Sequence, residues 1–435
     1  MKISLSNILS LRTNELIRNV FMLTSGITIA QAIPILLQPF LRRLFTPAEF
    51  GAFAIFLSII EIIVSVGTLR YEMAIVLPRK DILAVNLFGL SFIISFAINA
   101  MVFLAILFFQ NTIAHAVNFP PQFIYWLYFI PLVTLLFCIS QSVNYWLIRK
   151  KAFWPSSINK ISRRGLEGSV QLAFGIGHLN LGLVIGAVFG HFANIISGIY
   201  QLRATDFQIR RITKEKLRYV YRRYIEFPKY STIPALLNVV SLLLPLFIIN
   251  KIFSEKETGY FDLTRQILLV PMALISSSLS QVLFQRITER KHAGKSISKE
   301  IHRITFILFL FSFIGALLLW LWGTDLFVIL FGKQWRMSGE IVKVVMIGFG
   351  FRFIVASLSI ILVGLERIKW YSLWQTLYFL AILSLVFVSK LTFFQFCIFY
   401  TVIESVSYIA QYLLIIIVLR QYENRIRMRL GNLKT

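Results

Sequence analysis

The chain has 435 residues, 57% of them hydrophobic and 15% aromatic, with 44 Lys plus Arg against 19 Asp plus Glu, a net charge of +25. So high an apolar fraction, laid out in long runs, marks an integral membrane protein and excludes an ordinary soluble domain. The cations sit beside the apolar runs, where anionic headgroups attract them, and no separate soluble domain is left to hold nucleic acid, so no nucleic-acid partner is expected.

A hydrocarbon core about 30 Å thick needs roughly 20 apolar residues per helix. In chain order, such stretches lie at 17–40, 50–70, 82–109, 122–147, 165–178, 181–202, 230–250, 259–284, 304–323, 340–363, 371–389 and 394–419. Lys2 and Arg12 precede the first and Arg18 stands at its start; it is too long for a signal-peptide core and lacks a small-residue cleavage pattern, so it is expected to be retained. Residues 1–15 read as an interfacial amphipathic helix or a disordered segment. The fifth stretch is short, and Gly175-Ile176-Gly177-His178 turns 165–202 into a hairpin. Cys138 and Cys397 both fall inside spans and read as small core residues rather than as a disulfide or metal pair.

The connecting segments alternate in charge. Counted by side, 34 of the 44 Lys and Arg fall on one face and seven on the other, with Arg265, Lys343 and Arg352 inside spans. Cationic loops stay cytoplasmic. Both termini, and the basic segment 203–229, are therefore expected in the cytoplasm.

An internal repeat divides the chain. Arg43-Leu44-Phe45-Thr46-Pro47-Ala48-Glu49-Phe50-Gly51-Ala52-Phe53 joins the first two spans, and Lys251-Ile252-Phe253-Ser254-Glu255-Lys256-Glu257-Thr258-Gly259-Tyr260-Phe261 joins the seventh and eighth. Each stretch ends one helix on a cation and starts the next after Thr or Ser, which cap backbone N–H groups, followed by a Glu suited to a helix N-terminus. A weaker echo pairs Lys150-Lys151-Ala152-Phe153-Trp154 with Arg367-Ile368-Lys369-Trp370-Tyr371. The expected fold class is all-α: a polytopic membrane protein of about twelve transmembrane helices in two pseudo-symmetric six-helix bundles. The expected domains are an N-terminal half at 1–205, a basic connector at 206–229, a C-terminal half at 230–420 and a basic tail at 421–435. Paired halves of this kind are a transporter architecture with the substrate path at their interface.

Polar residues in hydrocarbon face protein or water. Thr24, Thr28, Gln31, Gln38 and Arg42 share one face of the first span; Ser58, Glu61, Ser65, Thr68 and Glu72 share one face of the second. Asn238 and Ser241 lie between Pro234 and Pro245, and Thr401, Glu404, Tyr408 and Gln411 line the last span. Such stripes serve either helix packing or a wet cavity. The ionisable residues favour the cavity: Arg265 with Asp262 one turn away, Arg352 and Glu404 near mid-span, Glu61 in the second span, and Arg70 with Glu72 where that span meets the cytoplasm. Pro34, Pro234, Pro245 and Pro271 are expected to interrupt their helices and serve either as static kinks or as hinges.

Enzymatic signatures are missing. Gly294-Lys295-Ser296 resembles the end of a phosphate loop, but Glu289 stands where the motif needs glycine. The histidines His115, His178, His191, His292 and His302 form no metal-spaced pair. The chain is read as a non-enzyme without cofactor or metal, and uphill transport is expected to draw on H+, Na+ or the membrane potential.

The stretch 43–51, followed by Leu69-Arg70-Tyr71-Glu72-Met73-Ala74-Ile75-Val76-Leu77-Pro78 and by Leu330-Phe331-Gly332-Lys333-Gln334-Trp335-Arg336-Met337-Ser338-Gly339, resembles the bacterial polysaccharide biosynthesis membrane proteins. These are O-antigen and capsule repeat-unit flippases of Wzx type, within the multidrug/oligosaccharidyl-lipid/polysaccharide exporter superfamily. The resemblance implies two six-helix bundles, a location in the bacterial inner membrane, and transport of an undecaprenyl-diphosphate-linked oligosaccharide to the periplasmic leaflet. Expected partners are that lipid, membrane lipids, a polysaccharide polymerase and a chain-length regulator. Related flippases carry arginines on the first helix; here residues 19–41 hold neither Lys nor Arg. The candidate cavity residues are therefore Arg265, Arg352, Asp262, Glu61, Glu404, Gln31, Gln38, Arg70 and Glu72, with Arg265 and Arg352 on the diphosphate. Two other readings compete: a multidrug or cation exporter of the same superfamily, in which Glu61 and Glu404 would dominate, and a membrane polymerase or ligase, which usually carries the long outer loop absent here.

Overall fold

A computed structural model describes residue 26, residues 28–388 and residues 391–431. The readings for residues 1–25, and for Lys390, lie outside the described residues. The described chain is helical and carries no strand. In order the helices are α1 (28–44), α2 (Pro47–Val66), the short α3 (Tyr71–Ala74), α4 (Asp81–Val117), α5 (Phe129–Arg149), α6 (Phe153–Ile176), α7 (Gly182–Ala204), α8 (Lys214–Arg223), α9 (Glu226–Ile252), α10 (Glu255–His292), α11 (Ser298–Phe331), α12 (Arg336–Leu358), the short α13 (Ile360–Gly364), α14 (Ile368–Leu383) and α15 (Phe393–Gly431). Two compact units divide at Val240/Ser241, inside α9.

The repeat resolves into matching caps. Thr46 accepts a hydrogen bond from the Glu49 backbone N–H at 3.3 Å, and Glu49 accepts from the Thr46 N–H at 2.7 Å, a closed capping box that starts α2. At the start of α10, Ser254 accepts from the backbone N–H groups of Lys256 (3.1 Å) and Glu257 (3.5 Å), and its hydroxyl donates to the Glu257 carboxylate. The Thr/Ser-x-x-Glu spacing is what the orphan N–H groups of a helix start require.

Nine segments among the described residues are long and apolar enough to cross a membrane, and the chain is a multi-pass membrane protein. Three of the twelve expected spans do not appear among the nine. The first and the eighth, on α10, are only partly described, while α6 is described and too polar to qualify. The expected fifth span, 165–178, is corrected: its helix starts at Phe153 and runs 24 residues, about 36 Å at 1.5 Å per residue. Lys160, Arg163 and Arg164, counted above with a cytoplasmic loop, lie inside it. The expected hairpin is present, with α6 and α7 packed along their lengths around the 177–181 turn. The prolines at 234, 245 and 271 do not end their helices; α9 and α10 run through them. A kink with non-helical dihedrals falls instead at Phe109 of α4, where there is no proline.

In the first unit, a buried cluster at one end joins Tyr71, Ile75, Val85, Trp146, Leu147 and Val220, and so ties α3, α4, α5 and α8 together. Asn86 anchors the basic connector: its amide donates to the Arg211 carbonyl at 3.0 Å and its carbonyl accepts from the Thr213 N–H at 3.1 Å. In the second unit α12 is the central helix, flanked by α10, α11 and α15. α11 exposes most of its large apolar side chains, as a lipid-facing helix does, and buries Ile301, Leu308, Phe327 and Phe331.

Candidate functional site

Each unit holds a cluster of buried charge among its helices. The larger group lies in the first unit on the α6–α7 hairpin. Arg164 Nη1 sits 3.0 Å from Glu167 Oε2, and Arg163 Nε lies 3.9 Å from the same oxygen. The spacing i, i+3 and i+4 puts both arginines over one carboxylate. The Arg163 guanidinium also stands 5.0 Å from the centre of the Phe137 ring of α5, whose other neighbour is the His191 ring of α7, centroid to centroid 5.0 Å. Buried Arg163 Nε and His191 Nδ1 have no hydrogen-bond partner. Glu61 of α2 is exposed and within electrostatic reach of Arg163.

Glycine spacing explains how so polar a helix is held. Gly182, Gly186 and Gly190 recur every four residues on the α7 face that meets α6. A Cβ on Gly190 would come within 2.9 Å of the Arg163 carbonyl oxygen and 2.8 Å of Glu167 Cβ. A Cβ on Gly186 would meet the Glu167 carbonyl oxygen at 2.8 Å. Backbones this close need a missing side chain. Gln171 of α6 adds a buried amide bond to the Leu183 carbonyl at 3.1 Å. Arg163 is therefore level with the middle of α7, a helix long and apolar enough to cross a membrane, and not in a loop beside it.

The second unit holds Arg352 of α12 against Glu404 of α15, Nη1 to Oε1 3.9 Å, with the Glu404 side chain fully buried. The same Glu404 oxygen accepts from the hydroxyls of Tyr378 (2.5 Å) and Tyr400 (2.9 Å). The Arg352 guanidinium also lies 5.7 Å from the Phe349 ring and 5.8 Å from the Tyr408 ring. Gly348 lets α12 approach: a Cβ there would meet Glu404 Cβ at 2.9 Å. Glu404 Oε2 remains without a hydrogen-bond partner.

The other sequence candidates are placed as follows. Arg265 lies 3.5 Å from Asp262 on α10, and Asp262 also accepts from Gln266 at 2.7 Å. Gln31 is exposed on α1. Gln38 accepts from Arg42 Nε at 2.8 Å, and the buried Arg42 guanidinium covers the Phe50 ring at 3.6 Å. Arg70, at φ 64°, is 3.9 Å from the buried Glu72, which also accepts from the Thr68 hydroxyl. Those two residues lie beside Tyr71, whose hydroxyl donates to the Tyr221 carbonyl at 3.0 Å, at the end of the unit where α8 docks. Sequence reasoning missed Arg163, Arg164, Glu167 and His191. The available signals were the Arg-Arg-x-x-Glu spacing and the four-residue glycine period of 182–190.

Comparison with known proteins defines the class first. An inward-facing multidrug resistance MATE family transporter of the MOP superfamily superposes with TM-score 0.70 at 13% identity, covering 92% of this chain and 98% of that one. The lipid II flippase MurJ, in an inward closed conformation, superposes with TM-score 0.64 at 14% identity over 94% of this chain and 91% of that one. The fold is that of the MOP-superfamily transporters. The chain belongs to the family described as polysaccharide biosynthesis protein, matched over residues 40–340. It is also similar to the succinoglycan biosynthesis transport protein ExoT of Rhizobium meliloti (strain 1021), 20% identical over 328 residues, a match spanning 72% of this chain and 62% of that relative. These relatives are transporters and flippases, not enzymes.

Proposed function

We propose that the protein moves an undecaprenyl-diphosphate-linked oligosaccharide from the cytoplasmic to the periplasmic leaflet of the bacterial inner membrane by alternating access. The observation that carries this reading is the arginine pair of α6, held level with the middle of α7 over one carboxylate, with Arg163 Nε lacking a hydrogen bond. An arginine buried in hydrocarbon is costly and is retained where it meets a partner or a substrate. A diphosphate supplies the acceptor oxygens that a guanidinium fork matches bidentately. Both termini face the cytoplasm in this reading. A polysaccharide polymerase and a chain-length regulator would act on the flipped product.

Coupling to H+ fits the second group. Glu404 is a fully buried carboxylate that accepts two tyrosine hydroxyls on one oxygen, while its other oxygen has no hydrogen-bond partner. The same group argues against export of an organic cation: the aromatic and carboxylate box that would receive one is filled by Arg352.

The test replaces Arg163, Arg265 and Arg352 singly with Ala and with Lys in a strain lacking the gene, and measures surface polysaccharide at matched protein levels. Arg163→Ala should lower export about tenfold or more, since hydrogen bonds to charged groups contribute about 1.5–3 kcal/mol, and Arg163→Lys should not restore it fully. Full export by every variant at normal abundance would refute the reading.

A further inference from the structure

Two neighbouring cavities of the second unit share one residue, His302, and change character across it. Toward the basic end lies a cavity of about 380 Å³, whose walls include Lys299, Arg420, Asn424 and Glu423. Toward the middle of the unit lies a cavity of about 310 Å³, walled by apolar side chains such as Phe306, Phe309, Val355 and Ile409. Both open between α11 and α15. These helices pack on α12 rather than along each other, and α12 floors the apolar cavity through Phe351, Ile354 and Val355. From Lys299 to Phe309 is ten residues of α11, about 15 Å at 1.5 Å per residue and so half of a hydrocarbon core about 30 Å thick.

The charges in the polar cavity are not equivalent. One Glu423 oxygen accepts from the Ser296 hydroxyl (3.0 Å) and from the backbone N–H groups of Ile297 (2.9 Å) and Ser298 (3.0 Å). That carboxylate is committed to closing the end of the groove, where it satisfies donors at the start of α11. His302 Nδ1 lies 2.8 Å from the Ser298 carbonyl and 3.3 Å from the Ser298 hydroxyl, so that nitrogen is engaged at the start of α11. Lys299 and Arg420 are exposed and have no carboxylate within ion-pair distance among the described residues. A groove with two uncommitted cations at its mouth and phenylalanines one leaflet deep has the polarity of a phospholipid, read from headgroup to chain.

We propose that this groove holds one anionic phospholipid of the surrounding leaflet, its phosphate between Lys299 and Arg420 and an acyl chain lying along α12 past Thr305 and Phe309. The occupant follows from charge complementarity together with the polar-to-apolar order of the two cavities. A free phosphate would use only the first cavity, and a zwitterionic lipid would leave the cations uncompensated. The site lies outside both charge groups described above, and it requires only that the chain sit in a bilayer, so it stands or falls separately from the substrate reading.

The test titrates the full-length purified chain with phosphatidylglycerol, phosphatidylcholine and glycerol phosphate, and counts bound lipid by native mass spectrometry. Phosphatidylglycerol should bind more tightly than phosphatidylcholine. A cation near an anionic lipid surface contributes about 5-fold, so Lys299→Ala with Arg420→Ala should weaken phosphatidylglycerol about 25-fold and leave phosphatidylcholine unchanged. Both positions are exposed, so that variant keeps the fold. Thr305→Trp, which fills the apolar cavity, should weaken both lipids. Equal affinity for the two lipids, or an unaffected double variant, overturns the proposal. So does full competition by equimolar glycerol phosphate, which would leave a simple phosphate site. Displacement of phosphatidylglycerol by stoichiometric polyprenyl phosphate would also overturn it, by assigning the groove to a substrate-like lipid.

Discussion

Gly190→Ala tests how the α6 arginines are held at depth. The added Cβ would stand 2.9 Å from the Arg163 carbonyl oxygen and 2.8 Å from Glu167 Cβ, and neither is the free end of a flexible side chain. The two helix backbones must separate, at a cost of about 1–3 kcal/mol for overpacking. The substitution also gains about 1 kcal/mol of helix propensity. Gly165→Ala, on the facing helix, has nothing within 4 Å of the new methyl and takes the propensity gain alone. The difference between the two variants isolates the steric part, about 1–3 kcal/mol, or roughly 5- to 150-fold in the unfolding equilibrium. Gly198→Ala should fall between them, because its nearest contact is the Val143 Cγ1 methyl at 3.0 Å, which can rotate away. Reversible unfolding of the three variants in mixed micelles gives the order directly. If Gly190→Ala were as stable as Gly165→Ala, close backbone approach would not be what secures α6.

Two further outcomes follow from the buried carboxylates. Glu404→Leu leaves Arg352 uncompensated among rings and should cost about 3–5 kcal/mol, whereas Arg352→Leu with Glu404→Leu should recover most of that loss, since a well-packed apolar pair often replaces a buried ion pair without penalty; equal losses in the single and double variants, in the same unfolding assay, would contradict the pairing. Burial raises the pKa of Glu72, with the Thr68 hydrogen bond and Arg70 acting the other way. Because the folded chain then binds that proton more tightly than the unfolded chain does, the stabilisation is complete below the ordinary carboxylate range and is lost as pH climbs through the raised value. Glu72→Gln, a permanently neutral mimic, should flatten the pH dependence of unfolding over that window.

The parts of the fold legible in the sequence are those fixed by local chemistry. Thr46-x-x-Glu49 and Ser254-x-x-Glu257 read as helix starts because an orphan N–H needs an acceptor at that spacing, and both starts are found there. The α6–α7 turn was legible from its glycines, and the Arg265–Asp262 pair from its one-turn spacing. The beginning of α6 was not. Hydropathy reads the mean of a segment, and Lys160, Arg163 and Arg164 pull that mean below any spanning threshold, so counting charges by side assigns them to a loop. What decides the matter is the partner helix. The Arg352–Glu404 contact was likewise hidden: each residue was visible as a deep charge, but 52 positions of sequence separate them, and nothing local announces that Gly348 lets α12 approach α15.

That failure has a physical lesson for assembly. A helix carrying three cations and one carboxylate over eight positions would be disfavoured as an independent span, since each central Arg or Lys costs about 2.5–3.5 kcal/mol on insertion scales. α6 therefore needs α7 before it is stable in the bilayer, and the short 177–181 turn delivers the two together. The glycine face of α7 lets the backbones touch, Glu167 neutralises part of the charge, and the Phe137 ring covers the Arg163 guanidinium. Each compensation is partial: one carboxylate serves two arginines, and Arg163 Nε is left without a hydrogen bond. α6 thus carries more positive charge than its neighbours neutralise. Its position at membrane depth, on the element that gains least from being there, makes sense if an anionic headgroup supplies the missing acceptor during transport.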